Sequence, residues 1–476
     1  MSWPNPFRRH DEYTRHTWGY TFQWTPDHLK AEETHHLKFS YDELADDCLN
    51  RLDAISPPAS KELPRSRSRT AAKEGLTPPP KRDLYALLRD HHSEDEKLGE
   101  LWKEVNTIPE WVDWDQIARG QDVFYRYGGV ALTALAYQSL LGGMGAARIT
   151  EVLARTGGFS PSVAKHRLYE TTQHILQVTS SIPSIQPLGS GFASSIRVRL
   201  LHASVRRRIL TLASQKPSYY SVENYGIPIN DLDCIGTIST FSATLIWLGF
   251  PRQGIFLREQ EIEDYIALWR LVAHYMGTPT QFFSTPHKAR AIMESLMIEE
   301  IRPSATSRVL ANNIILSLQN QPPAYASRDF LIASARWLNG DDLADELGLS
   351  RPSFYYKALV AGQCLFFMGL CYTYRSVPYL DRKKIAALRK IFYNIIVHNT
   401  EHGLGEETVF DFKYIPSFDF TETEKGEYVA GIQGKGVETR NFRTLVVAGA
   451  VMGCLSYIGF RISWGVVRWM GSLVGL

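Results

Sequence analysis

A mainly α-helical fold is what this sequence predicts, and three observations predict it. From about Leu84 to Lys390, apolar residues recur at helical spacing in segments several turns long. The breaks between segments carry stop and start residues, as in "GGFSPS" (157–162), "SIPSIQPLGSG" (181–191), "YGIPINDLD" (225–233) and "LGFPRQG" (248–254). Alternating β-branched runs closed by hairpin turns are scarce, which leaves little text from which to build a sheet. With 44% hydrophobic and 21% charged residues the body is globular, and no repeat of fixed period runs through it.

Taken in order, residues 1–55 mix aromatics with histidines, and "YDELADDCLNRLDAI" from Tyr41 spaces Leu44, Leu49, Leu52 and Ile55 as one helix face. The text reads as a docking arm or leading helix. Pro, Ser and charge then dominate 56–82, which predicts an exposed linker. The stretch "DQIARGQDVFYRYGGVALTALAYQSLLGG" (115–143) is an especially apolar helical segment. Asn230 or Asp231 offers an N-cap before the helix that runs from Leu232. Further on, 444–460 is 17 residues without a charge, flanked by Arg440, Arg443 and Arg461. That is near the lower limit for a membrane span, and "ISWGVVRWMGSLVGL" after it has interfacial character. The segment is expected to be either a membrane anchor or hairpin, or a last core helix. Three regions follow: an N-terminal arm with linker (1–82), a helical catalytic domain (83–420), and a polar linker with a hydrophobic segment (421–476).

Several function classes lose support. Lys and Arg number 52 against 50 Asp and Glu, so the net charge of +2 gives no field for nucleic acid. Five scattered cysteines contain no C-x-x-C pair, arguing against a zinc site or a disulfide framework and for a reducing compartment. The H-E-x-x-H, phosphate-loop and G-x-S-x-G motifs are absent. The first residues lack the apolar run of a cleaved secretory signal, so an intracellular, membrane-associated location of endoplasmic-reticulum type is expected. Among fourteen histidines, the adjacent pairs His35-His36 and His91-His92 diverge by about 100° on a helix and make poor shared ligands.

The helix "RVRLLHASVRRRIL" (197–210) is different, because it sets His202 among five arginines, with Arg199 and Arg206 on the same side. A neutral imidazole suits haem iron, and arginines beside it suit propionates. The same pattern also fits a packed histidine whose arginines hold acidic partners. His174 and His274 compete as ligands, although buried histidines commonly just satisfy a neighbour. Phe241, Tyr265 and Trp269 read as core or pocket wall.

The run Arg199-x-x-His202-Ala-x-x-Arg206, with "YGIPINDLDCIGTISTFSATLIWLGF" (225–250) and "YIALWRLVAHYMGTP" (265–279), resembles the family that joins latex-clearing rubber oxygenase to a mycophenolic-acid-pathway oxygenase of fungi. "DWDQIARGQDVFYRYGG" (113–129) and "EVLARTGGFSPSVAKHRLYETT" (151–172) resemble it in the same order. The resemblance implies a globin-like helical core around haem b, with oxidative cleavage of isoprenoid C=C bonds by dioxygen. It implies His202 as the axial iron ligand, Arg199 and Arg206 as residues supporting the haem pocket, and Glu151 as a base for an allylic proton. Arg167, Glu170 and Thr171 would roof the iron, with Glu170 standing where the family has a lysine. That departure puts a lysine-capped resting state in doubt, and Glu170 alternatively reads as a surface charge. The expected partners are dioxygen and an apolar isoprenoid or prenylated substrate, with membrane association through 444–476. Two other readings remain: a peroxide-dependent haem oxidase or hydroperoxide-rearranging enzyme, and a non-catalytic haem or lipid carrier at a membrane.

Overall fold

The computed structural model describes residues 11–58, 82–410, 425–427 and 436–474, and over these the chain is almost wholly helical. The linker at 56–82 and the polar stretch at 421–435 fall mostly outside the described residues. Sixteen helices carry the argument: α1 (Glu43–Ile55), α2 (Leu84–His91), α3 (Glu96–Asn106), α4 (Trp114–Arg126), α5 (Gly128–Ala134), α6 (Ala147–Arg155), α7 (Ala164–Val178), α8 (Ser190–Gln215), α9 (Asp231–Phe241), α10 (Glu259–Tyr275), α11 (Pro286–Glu299), α12 (Ala305–Leu318), α13 (Arg328–Asn339), α14 (Phe354–Arg375), α15 (Pro378–Tyr393) and α16 (Gly436–Val474). One short antiparallel hairpin, β1 (Thr14–Thr17) with β2 (Tyr20–Gln23), precedes them.

Capping explains many of the starts. Asp42, Asp83, Asp95, Asp113 and Asn230 each accept from a backbone N–H in the first turn of the helix that follows. Helix α4 packs tightly against α10, and Gly120 permits it: a Cβ there would lie 2.3 Å from the Asp264 carbonyl oxygen. Arg119 then reaches Asp264 across the same contact, at 2.9 Å.

Helix α8 runs through the middle and touches α1, α2, α7 and α10. Its arginines meet acids on the N-terminal elements: Arg197 with Asp83, Arg199 with Asp42 and Glu104, Arg206 with Asp46, and Arg207 with Asp53. Ala45, Cys48, Leu49 and Leu52 of α1 lie in the same apolar cluster as α4, α8 and α10. The leading helix of the 1–82 arm is thus docked on the body. Charge complementarity and a shared core make α1 part of the body.

The C-terminal helix has two halves. Asn441 is fully buried against α14, where the absence of a side chain on Gly362 admits the Asn441 carbonyl, and its amide donates to Gln363 Oε1 at 3.4 Å. From Val446 onward the helix leaves the body: Val447, Met452, Leu455 and Tyr457 are each more than 60% exposed. Among the described residues, three helical stretches are long and apolar enough to cross a membrane, 231–252, 354–375 and 436–463, and a sharply bent pair, 128–145 with 147–156, passes the same test together. The first walls the internal cavity, whereas the apolar window of the third is covered by nothing in the body. Through Val474 it is one continuous helix, so neither the hairpin nor the packed core helix describes it.

Candidate active site

A cavity of about 460 Å³ lies between α5, α6, α7, α8, α9 and α11, in the range of small-molecule and cofactor sites. Two helical segments widen into π turns beside it, Leu135–Leu141 and Leu245–Gly249, each contributing lining residues such as Leu135, Ser139 and Leu248. Gly249 fits between them because a Cβ there would come within 2.6 Å of the Ala134 Cβ. Leucine, isoleucine, valine and methionine make up much of the wall, and Phe241 and Trp269 line it as the sequence suggests.

His202 projects from α8 into this cavity, and neither ring nitrogen has a hydrogen-bond partner among the described residues. Burial, reinforced by the nearby cationic Arg206 and Arg167, pushes its pKa down to about 4, so the imidazole is neutral at physiological pH. His174 lines the cavity from α7, with its pKa also pushed down to about 4 by burial. Its Nδ1 lies 3.0 Å from Ser194 Oγ, which donates its own hydrogen to the Gly191 carbonyl at 3.0 Å. With that hydrogen committed, Nδ1–H must be the donor to Ser194, leaving Nε2 as a bare lone pair, and Nε2 has no partner. His274 is not among the cavity residues; it sits near Glu104 and Arg199, behind α8.

Arg167, Glu170 and Thr171 all line the cavity from α7. Glu170 is only 4% exposed, so it is not a surface charge. It accepts from Arg167 at 2.7 Å and lies 3.6 Å from His166. Burial alone would raise its pKa, but His166 and Arg167 bring it below the ordinary value, so it is anionic. The Thr171 hydroxyl donates to the Arg167 carbonyl at 3.1 Å, a back-bond within the helix.

Three expected site residues lie elsewhere. Arg199 and Arg206 do not line the cavity; they are buried on the α1 side of α8. Arg199 is bonded to Asp42 at 2.5 Å and Glu104 at 2.7 Å, which hold its pKa up against the effect of burial. Arg206 donates to Asp46 and to the carbonyls of Ile229 and Asp42. The alternative of arginines holding acidic partners is the one the structure shows. Glu151 also stands outside the cavity, with Oε2 2.7 Å from Arg155 and Oε1 accepting from Thr306 at 2.8 Å. Arg155 is in turn stacked over Tyr219 and Tyr220, which locks the pair in place.

Two cavity carboxylates were not singled out from the sequence, Asp233 and Glu300. Asn230 caps α9 by accepting from the Asp233 N–H at 3.0 Å, and this sets Asp233 in the first turn facing inward. Burial, opposed by Arg148, raises its pKa to about 6. Its Oδ1 lies 3.0 Å from Arg148 Nη2, yet no donor is aligned with it. Arg148 also pairs with Glu300 at 2.7 Å, and Lys38 reaches Glu300 at 2.9 Å, so this corner is charge-balanced. The signal was present in "NDLD", where an N-cap places the residue three positions later on the first turn. No group of three or more His, Cys, Asp or Glu side chains placed to hold a metal ion occurs among the described residues.

Comparison with known proteins places this geometry. Residues 125–365 match the family model described as "ER-bound oxygenase mpaB/B'/Rubber oxygenase, catalytic domain". The chain is 21% identical over 260 residues to the rubber oxygenase of Streptomyces sp. (strain K30), covering 53% of this chain and 61% of that one. A 33-residue stretch, 7% of each chain, is 58% identical to aurantioclavine synthase cnsA of Penicillium expansum. The solved structure of latex clearing protein LCP in the closed state superposes with a TM-score of 0.52 at 17% identity, over 75% of this chain and 91% of that one, which shows a shared fold.

Proposed function

The chain belongs to the rubber oxygenase/mpaB catalytic-domain family, and on that premise we propose that it is a haem b-dependent oxygenase cleaving a C=C bond of an apolar isoprenoid or prenylated substrate with dioxygen. The observation that supports this most is His202: a neutral imidazole with no hydrogen-bond partner among the described residues, presented to a large apolar cavity. The residues present fit a haem. His202 would supply a nitrogen ligand to the iron, the aliphatic wall would cover the macrocycle, and His174 presents a second bare lone pair to the same space. When bound, the haem supplies the iron chemistry that activates dioxygen.

The chain's own part is binding, exclusion of water and proton handling. The apolar wall takes a hydrocarbon chain and keeps water away from it. Glu170, anionic and bonded to Arg167, fixes a charge pair on the α7 side. Asp233, which lines the cavity and whose pKa of about 6 leaves it ionised at neutral pH, would accept a proton from the substrate, whereas Glu151 lies outside the cavity lining. The overall change balances without an external reductant: one alkene and one dioxygen become two carbonyl groups. The exposed apolar half of α16 would hold the body at a bilayer, where such substrates partition.

The test is the absorption spectrum and pyridine haemochrome of the full chain in detergent, expressed with ample haem. His202→Ala is compared with His174→Ala and His274→Ala. Stoichiometric haem b lost only in His202→Ala, with oxygen uptake on an unsaturated isoprenoid, is the expected result. Absence of haem from the wild-type chain would refute the oxygenase reading.

A further inference from the structure

The charged groups on the cavity wall do not all cancel. Arg148 is answered by Asp233 and Glu300, and Arg167 by Glu170. Arg252, which also lines the cavity, has no carboxylate partner among the described residues. Its guanidinium donates only to two carbonyls: to Leu338 through Nη1, and to Trp18 through Nη2 at 2.9 Å. That uses two of its five N–H groups. The Leu338 carbonyl belongs to the last turn of α13, whose helix dipole offers about half a negative charge, so the remainder of the positive charge is uncompensated. Burial without an acid beside it pulls the Arg252 pKa down to about 10, the reverse of what Arg148 experiences next to its acids.

Arg252 and the histidines occupy different regions of the wall. Arg252 stands with Trp18, Asn339 and Leu343, in the cluster around α13, whereas His202 stands with Leu201 and Val205 in another. Much of the remaining wall is aliphatic, with Leu140, Met297 and Ile301 among its residues. Trp18 closes over this region from the β1–β2 turn, its indole N–H donating to the Met297 carbonyl at 3.3 Å. A largely apolar cavity whose wall carries one uncompensated guanidinium suits an amphiphile with an anionic head.

We infer that the Arg252 end of the cavity binds the carboxylate of an apolar terpenoid-type acid, setting the register of its chain toward the histidine end. The inference rests on the oxygenase reading for the nature of the chain, but its charge argument stands on Arg252. A carboxylate there forms a charge-assisted, two-pronged hydrogen bond that a neutral ester cannot replace.

The experiment measures binding of farnesoic acid and methyl farnesoate to the full chain in detergent by quenching of tryptophan emission, with haem content read alongside. The acid should bind about tenfold or more tighter than the ester. Arg252→Gln should bring the acid down to the ester's affinity, and Arg252→Lys should keep part of the preference. Equal affinity of acid and ester in the wild type would overturn the inference without any variant. Loss of haem from soluble, helical Arg252→Gln would overturn it too, by assigning the guanidinium to a haem propionate. A wild-type chain that lacks haem yet prefers the acid would refute the oxygenase reading and leave this site standing.

Discussion

Replacing Arg199 with Met separates a fold-holding arginine from a cofactor-binding one. The Arg199 side chain is 3% exposed and bonds Asp42, itself 13% exposed, together with the half-exposed Glu104. Arg199→Met strands the Asp42 carboxylate in a buried setting, and breaking a buried pair from one side costs about 3–5 kcal/mol. Glu104 adds about 1 kcal/mol at most, because water reaches it. The prediction is therefore a loss of about 3–5 kcal/mol in urea unfolding followed by circular dichroism, with haem per folded molecule unchanged. Asp42→Asn on the same background removes the stranded charge, while the amide oxygen still accepts the Ala45 N–H that starts α1. It should recover part of the loss. Unchanged stability with depleted haem would refute this reasoning and return Arg199 to the cofactor.

Other perturbations have separate readouts. If Asp233 accepts the substrate proton, activity falls about tenfold per pH unit below its pKa of about 6, and Asp233→Asn abolishes that limb together with most of the rate. Its stability linkage has the opposite sense: a carboxyl with a raised pKa favours the fold below the unfolded value of 3.8, and this is lost as pH rises through about 6. An Asp233→Asn chain should therefore show a flatter stability profile between those values in pH-dependent unfolding. A chain ending at Leu445 is expected to stay in the supernatant when membranes are pelleted, and one ending at Arg440 to lose a further 1–3 kcal/mol or so, because Asn441 and its bond to Gln363 are gone. Gly120→Ala should destabilise by about 1–3 kcal/mol, since the α4–α10 contact has no room for the methyl group.

Periodicity carried the fold class because most helices bury one stripe, and the N-cap offered at Asn230 starts α9 as the sequence suggests, with Asp42, Asp83 and Asp113 capping α1, α2 and α4 in the same way. Spacing also put Arg167, Glu170 and Thr171 on one wall and His202 into the cavity. The fate of the arginines was not legible. Spacing says that 199, 202 and 206 share a side of α8, but that side is divided between two neighbours, the cavity and the acidic α1, whose Asp42 lies 157 residues before Arg199. The acidic text "YDELADD" was the available complement, and only the tertiary pairing shows that it takes the arginines away from the site. Glu151 failed for a similar reason, since Arg155 one turn along binds it first.

The two cavity histidines differ in a way that bears on which would hold iron. His174 is oriented: the Ser194 hydroxyl, fixed by Gly191, commits Nδ1–H and leaves Nε2 free. A metal-bound histidine commonly has such a partner on its other nitrogen. His202 has none among the described residues, so its ring is positioned by packing alone, and burial, helped by Arg206 and Arg167, holds it neutral. Assigning the axial bond to His202 therefore rests on its place on α8 and on the family pattern, while the hydrogen-bond argument favours His174 as a ligand. The two are separable. Ser194→Ala frees His174 to rotate without touching His202, so a haem spectrum that shifts in Ser194→Ala would show His174 bound to iron, and an unchanged one would leave His202 as the sole protein ligand.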